Sequence, residues 1–387
     1  MIPLSVPNFE GNEEKYTLDA VSQGWVSTGG AYVDKLEKQI AEYAGVSAAV
    51  ACQSGTAALH LSLIECGVGL HDMVIVPTLT FIAAVNPVKY VHAEPIFMDC
   101  DDSLCMDPEK LKSFCEEECI FESGKLLYTK TRQVVKAIMV VHVFGNLADM
   151  ESIMEIATAY NLKVIEDATE ALGSYYEDGK YKGRMAGSIG DFGAYSFNGN
   201  KIITTGGGGA IISNDLKALE HLKYLSTQAK DDTHFYIHNE VGYNYRMTNV
   251  QAALGVAQME ELEEFIVRKN ANYETYKANL MSQKNGALLG FRKCTRSNKW
   301  FYSFMLNKDV CKGDIKGYIV KLQEEGVQTR PIWGLIHEQK PYQKTVAYQI
   351  EKAKYYSERI INIPCSTNID KCDILKVCER LTLINEN

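Results

Sequence analysis

The sequence predicts an α/β protein, with a mostly parallel central sheet in a large domain and a smaller α+β domain behind it. Three observations carry that expectation. From about residue 50 to 215, short β-branched apolar runs alternate with helical patterns, as strand–helix–strand crossovers do. Near residue 246 the alternation gives way to one long helical pattern without strong breakers, "RMTNVQAALGVAQMEELEEFIVRKNANYETYKANL". Beyond it, strand-like "WFYSFML" is mixed with helical stretches. The division falls at 1–250 for the large domain and 251–387 for the linker helix and small domain, and 387 residues are enough to bury a core in each.

The elements follow in order. "SGTAALHLSLIECG" (54–67) opens on Ser54, a natural N-cap, and carries apolar residues at helical spacing. "DMVIVPTLTF" is a short buried strand leaving through Pro77. "VKAIMVVHVFG" (135–145) and "LKVIEDATEALG" (162–173) are β-branched runs ending in polar residues or glycine, and "DMESIMEIATAYN" between them is a crossover helix. "FGAYSF" and "GGAIIS" are two further strands around residues 197–208. No internal repeat is evident.

Composition narrows the function. A net charge of −9 with no basic run argues against a nucleic-acid partner, which needs a concentrated cationic surface. The start, "MIPLSVPNFEGNEEKY", has neither the charged nor the apolar region of a signal peptide. No apolar run approaches the roughly 20 residues of a membrane span, so a cytoplasmic protein is expected. Eleven cysteines, odd in number and scattered, read as reduced thiols. Cys115 and Cys119, four apart, lack a second pair at zinc spacing, so no metal site is expected and surface or semi-buried thiols are the simpler reading.

The stretch "SFNGNKIITTGGGGAII" (196–212) raises the central question, because Lys201 stands just ahead of four glycines. A P-loop needs G-x-x-x-x-G-K-[ST]. The nearest candidate, "GSYYEDGKY" from Gly173, has five residues between its glycines and Tyr181 where Ser or Thr should be. Gly206–Gly209 cannot supply G-x-G-x-x-G, and a strand rather than a helix follows. The glycines therefore make room, letting backbone pass close to a bulky group or a neighbouring chain.

Lys201 gains meaning from three other segments. Pyridoxal 5'-phosphate requires a lysine for covalent attachment, an acid at its ring nitrogen, N–H groups for its phosphate and a face for its ring. Gly55 and Thr56 open a helix, where free N–H groups and the dipole favour an anion, and Ser196 can add a hydroxyl. Phe81 can cover the ring, and Asp167 ends the strand "KVIED", where an open α/β sheet presents side chains to a ligand. Each has a plainer alternative: Ser54 as a cap only, Phe81 as a core aromatic, Asp167 as the cap of the next helix. Jointly, the order phosphate loop, ring, carboxylate, lysine is what one cofactor needs.

At these residues the chain resembles the DegT/DnrJ/StrS family of pyridoxal phosphate-dependent sugar-nucleotide aminotransferases, through "SGTAAL", "EDATEALGS", "GDFGAYSFNGNK" and "GYNYRM". The likeness runs from "WVSTGG" to "QTRPIW" and "NIPCS", and "FNGNKIITTGGGG" with the long insertion before "VKAIMVVHVFG" marks the LegC-type branch. It implies a fold-type I architecture, cofactor attachment by Lys201, Asp167 at the pyridine nitrogen, phosphate contacts from Gly55, Thr56 and Ser196, and stacking by Phe81. It also implies a homodimer with sites at the subunit interface, where Asn244 of "NYRM" reaches the neighbour's phosphate. Glu170 stands where many members have His or Gln, and a carboxylate beside the cofactor's phenolate oxygen needs a proton or a donor.

The reaction so implied moves an amino group from L-glutamate to C4 of a nucleotide-linked 4-keto-6-deoxy sugar for amino-sugar biosynthesis. The leading acceptor is UDP-2-acetamido-2,6-dideoxy-hexos-4-ulose, with GDP-linked 4-keto-6-deoxymannose or a 3-keto sugar as alternatives. Ser27, Thr28, Arg246 and Arg330 are the candidate substrate contacts, a salt bridge being the competing reading for each arginine. His142 reads as a satisfied buried imidazole. Three rivals remain. Dehydratases of the same fold replace the lysine with histidine, a cofactor-binding regulator would carry a DNA-binding segment, and a nucleotide-dependent oxidoreductase would show the missing dinucleotide fingerprint.

Overall fold

The computed structural model describes residues 1–232, 234–281, 284–307 and 315–383. Helices α1 (Glu13–Ser22) and α2 (Ala31–Ala44) precede strand β1 (Ala48–Cys52), helix α3 (Gly55–Glu65) and strand β2 (Met73–Pro77). Helix α4 (Asn86–Tyr90), strand β3 (Glu94–Met98) and helix α5 (Pro108–Glu117) follow. The hairpin β4 (Cys119–Glu122) and β5 (Lys125–Tyr128) leads into β6 (Val134–Val141). Helix α6 (Met150–Ala159) crosses to β7 (Lys163–Asp167). Next come β8 (Tyr175–Tyr176), β9 (Phe192–Ser196), β10 (Gly209–Ser213), α7 (Leu216–Ser226) and α8 (Asn249–Leu280). The remaining strands are β11 (Gly286–Leu288), β12 (Thr295–Arg296), β13 (Tyr302–Leu306), β14 (Arg330–Pro331), β15 (Val346–Tyr348) and β16 (Ile360–Ile363).

The main sheet has the order β1-β10-β9-β7-β6-β2-β3-β15, with the β4–β5 hairpin attached to β6. It is parallel from β9 to β15, and at the other edge β10 runs antiparallel to both of its neighbours, β9 and β1. The expected mostly parallel α/β sheet is therefore present. Its central strands are covered on both faces, which is why "MVIVP" and the second half of "VVKAIMVV" are continuous apolar runs instead of alternating ones. Helix α3 is apolar nearly all round and buried from Ala57 to Leu63, as a helix must be when it is packed between a sheet and other helices. Helix α2 is amphipathic, with Val33, Leu36 and Ile40 inward, and ends at Gly45 in the left-handed conformation.

A second, antiparallel sheet has the order β11-β13-β16-β14. Helix α8 spans 32 residues, or about 48 Å, and packs along α1, α2 and the helix Lys371–Leu383. It starts from a capping box in which Thr248 and Gln251 satisfy each other's backbone N–H groups. The expectation that residues 251–387 stand apart needs correction at one strand, because β15 returns to pair in parallel with β3. The thiols of Cys115 and Cys119 are both buried, more so than expected, and burial pushes each up to about 12. No helix of the described residues is long and apolar enough to cross a membrane.

Two buried polar contacts fix the sheet near the chain's recognisable motifs. Glu166 of β7 is fully enclosed and accepts from Gly187 N (2.9 Å), Ile189 N (2.6 Å), Gly190 N (2.6 Å) and His142 Nε2 (2.9 Å). His142 Nδ1 accepts from Ala148 N at 3.2 Å, which assigns the ring proton to Nε2, facing Glu166. His142 is thus the satisfied imidazole the sequence suggested. Second, Arg246 is 4% exposed, pairs with Glu37 of α2 and donates to Ala51 O at 3.3 Å. With Gln53 N donating to Tyr245 O at 2.8 Å, this clips the "NYRM" segment to the end of β1.

Glu166→Gln would turn an amide N–H₂ toward groups that already donate, and a loss of about 3 kcal/mol is expected from the urea midpoint. Burial pushes the Glu166 carboxyl up, but the hydrogen bond from His142 and the N–H groups of Gly190 and Gly187 outweigh it and hold the carboxyl below its ordinary range. Its contribution is therefore present above the unfolded carboxylate range and is lost as pH falls through the lower folded value. Arg246→Ala, which leaves Glu37 enclosed with less of its charge compensated, should cost about 3 kcal/mol in the same measurement.

Candidate active site

The carboxyl end of β7, the first turn of α3 and the turn after β9 enclose a cavity of about 340 Å³, within the usual range for small-molecule sites. This is where an open parallel sheet places its ligands. Gly55, Thr56, Phe81, Asp167, Glu170, Ser196 and Lys201 all line it. Positions scattered over almost 150 residues are thus brought to one place by the strand order.

Ser54 is the N-cap of α3, its Oγ accepting from Ala57 N at 3.1 Å. The N–H groups of Gly55 and Thr56 precede the first intrahelical bond and so remain for a ligand at the positive end of the helix. A Cβ on Gly55 would come within 2.7 Å of Thr169 Cγ2 and 3.1 Å of Ser196 Cβ, so only glycine lets these segments meet. The glycine run has the same logic. A Cβ on Gly209 would lie 2.5 Å from Gly55 N, so β10 can pass beneath the helix start only without a side chain.

Asp167 ends β7, 3% exposed, and its Oδ1 accepts from Thr169 N at 3.1 Å. Burial raises its carboxyl above the ordinary range, with the Thr169 bonds and the Lys201 charge opposing. Glu170, 5% exposed, accepts from Phe144 N at 2.8 Å through Oε2, while Oε1 lies 3.7 Å from Lys201 Nζ. Burial pushes Glu170 up to about 7 and pushes the Lys201 ammonium down. Lys201 Nζ lies 4.0 Å from the centroid of the Trp300 ring.

That tryptophan is what the sequence reading missed. Its Nε1 donates to Asn200 O at 2.6 Å and so fixes the turn that carries Lys201. Phe301, stacked on Trp300 at 4.1 Å, and Trp333 complete an aromatic wall, with Phe144 4.6 Å from Trp333 behind it. "KWF" and "PIW" gave only isolated aromatics, a common core feature; nothing local linked them to Lys201.

The remaining candidates lie elsewhere. Arg246 is turned away into its pair with Glu37 and cannot meet a ligand in this cavity, a correction to the sequence expectation. Ser27 and Thr28 are exposed on the loop before α2, Ser27 O accepting from Asn249 N at 2.6 Å. Arg330 is exposed on β14, and Asn244 is exposed and accepts from Gln228 Nε2 at 2.9 Å. None of the four lines this chain's cavity.

The donors and acceptors present fit pyridoxal 5'-phosphate: an anion-binding helix start, a buried amine, and an enclosed carboxylate without an ion-pair partner among the described residues. Comparison with known proteins agrees. The DegT/DnrJ/EryC1/StrS aminotransferase family matches residues 7–382. The chain is 35% identical to a GDP-perosamine synthase of Caulobacter vibrioides, over 98% of this chain and 97% of that protein. It is 27% identical to the UDP-4-amino-4,6-dideoxy-N-acetyl-beta-L-altrosamine transaminase of Campylobacter jejuni, over 97% and 96% respectively. The crystal structure of a DegT DnrJ EryC1 StrS aminotransferase from Brucella abortus superposes with a TM-score of 0.86 at 27% identity, covering 96% of this chain and 94% of that one. The chain therefore belongs to the DegT/DnrJ/EryC1/StrS family and is a pyridoxal phosphate-dependent sugar-nucleotide aminotransferase.

Proposed function

We propose that this enzyme transfers the amino group of L-glutamate to C4 of a nucleotide-linked 4-keto-6-deoxy hexose, with Lys201 and Asp167 as its catalytic residues. The observation that carries the reading is the enclosure of Lys201 Nζ and the Asp167 carboxylate in one cavity with the free start of α3. Bound pyridoxal phosphate supplies an electron sink for the carbanion formed when the donor loses its α-proton. Gly55, Thr56 and Ser196 would hold its phosphate, Phe81 would cover its ring, and Asp167 would keep its ring nitrogen protonated. Lys201 Nζ would hold and return the α-proton, a task helped by the enclosure that lowers its affinity for that proton.

The site is completed by a second copy of the chain in this reading. Asn244 is exposed and away from its own cavity, which is the placement expected of a residue that reaches a neighbour's phosphate. Large apolar side chains are exposed nearby in sequence, with Phe235 at 77%, Tyr236 at 75% and Val241 at 83%. Ser27, Thr28 and Arg330, also exposed, then serve as contacts to the sugar nucleotide or the donor carboxylate. The division near residue 250 separates the cofactor-binding sheet from the smaller β11-β13-β16-β14 sheet, with β15 excepted.

The motif "FNGNKIITTGGGG" favours a UDP-linked 2-acetamido-4-keto sugar as acceptor. The GDP-perosamine synthase likeness favours GDP-linked 4-keto-6-deoxymannose as a second reading. Formation of 2-oxoglutarate from L-glutamate with each sugar separates them: the true acceptor should give at least about tenfold higher kcat/KM, and no turnover with either would reject both.

Lys201→Ala should lower turnover by at least about 10²-fold and abolish the yellow band of lysine-bound cofactor. Retention of that band would place the attachment at another amine. Asp167→Asn should lower kcat by a similar factor with an unchanged thermal midpoint, because its amide keeps the bond to Thr169 N. Near-normal kcat would mean that another group protonates the ring.

A further inference from the structure

We propose that Lys201 and Glu170 share a single proton: Glu170 takes the proton Lys201 must lose to become a nucleophile, and then presents an O–H donor to the cavity. The inference rests on the reading of Lys201 as the cofactor lysine and adds a partner for it.

The geometry is specific. Glu170 stands three residues beyond Asp167, and its Oε2 is tied to Phe144 N at 2.8 Å. Phe144 sits in a left-handed conformation, φ 57°, in the short turn after β6. That bond sets the rotation of the carboxyl and leaves Oε1 facing Lys201 Nζ at 3.7 Å. In water the two groups would both be charged, since their ordinary values are 4.5 and 10.5. Enclosure penalises two separated charges far more than two neutral groups, and so draws the affinities together. Burial carries the carboxyl up to about 7 and the ammonium down.

The step balances within the pair. Once a side-chain rotation brings Nζ from 3.7 Å to hydrogen-bond distance of Oε1, an N–H bond at Nζ breaks as an O–H bond forms at Oε1, turning ammonium and carboxylate into amine and carboxylic acid. The surrounding charges set how far it goes. Asp167, on β7, and the Trp300 ring beneath Nζ favour the ammonium. Lys269 of α8 lines the same small cavity as Lys201, with Asn8 and Thr367. Its own ammonium is held by the carbonyls of Trp300 and Cys365, without a carboxylate partner in the described residues. His142 lies beyond Asp167 and donates its proton to Glu166. A protonated Glu170 can donate to the cofactor's phenolate oxygen, as a Gln in its place could. Only a glutamate, as carboxylate, can also take the lysine's proton.

The test uses the cofactor-free full-length protein and needs no turnover. Lys201 acetylation by trace acetic anhydride, quantified by peptide mass spectrometry from pH 6 to 10, reports the amine directly. For the wild type the expected curve has two steps, the first near neutral pH, because coupled groups release protons in macroscopic steps belonging to the pair. Glu170→Gln should give one step, and Asp167→Asn should keep both. A single wild-type step above pH 9 would overturn the proposal, as would two steps that persist in Glu170→Gln and vanish in Asp167→Asn. Should Glu170→Gln not fold, the wild-type and Asp167→Asn curves still decide. Near-normal transaminase activity in Asp167→Asn with its two-step curve intact would fault the catalytic reading and leave the shared proton standing.

Discussion

The last two residues of β7 carry two buried carboxylates that point to opposite faces of the sheet, and most of the site follows from that alternation. Successive side chains on a strand cannot share a face. Glu166 is turned into the protein, where four donors fix β7 to the 187–190 turn and to His142. Asp167 is thereby turned to the cavity, where Thr169 alone, through its backbone N–H and side chain, holds it among the described residues. One residue anchors the strand while its neighbour is left under-compensated, and a buried carboxylate in that state is a ready partner for a cationic ring. A slip of one position would exchange the roles and destroy both.

Much of this was legible in the sequence, and for local reasons. Ser54 as an N-cap, the buried runs of β2 and β6, the crossover to β7 and the capped start of α8 are encoded by adjacent residues. The cavity residues Gly55, Phe81, Asp167, Ser196 and Lys201 were legible because each sits at the end of such an element, where parallel topology sends it to a common edge. The readings that failed depend on distant partners. Arg246 looks like a ligand contact inside its motif, but its partner Glu37 lies on a helix that precedes β1. Trp300 and Trp333 belong to the second half of the chain, and no spacing relates them to Lys201.

The glycines show how steric need can resemble a binding motif. Gly55 and Gly209 face each other across a contact too close for any Cβ on the strand side. Gly206, by contrast, has open space around it but a φ of 76°, so its requirement is conformational. A run of four glycines thus serves at least two steric and conformational purposes, and Gly207 and Gly208 also line the cavity beside Lys201.

The return of β15 to the edge of the main sheet bears on how the chain is made. Until Val346–Tyr348 leave the ribosome, β3 presents an uncovered strand edge with its N–H and C=O groups free, a template for pairing with another nascent chain. The cofactor-binding sheet therefore cannot be finished on the order of its own synthesis. Its edge is closed by a strand about 250 residues downstream of β3, so a chain cut short before Val346 would leave the first half of the sequence with an open edge.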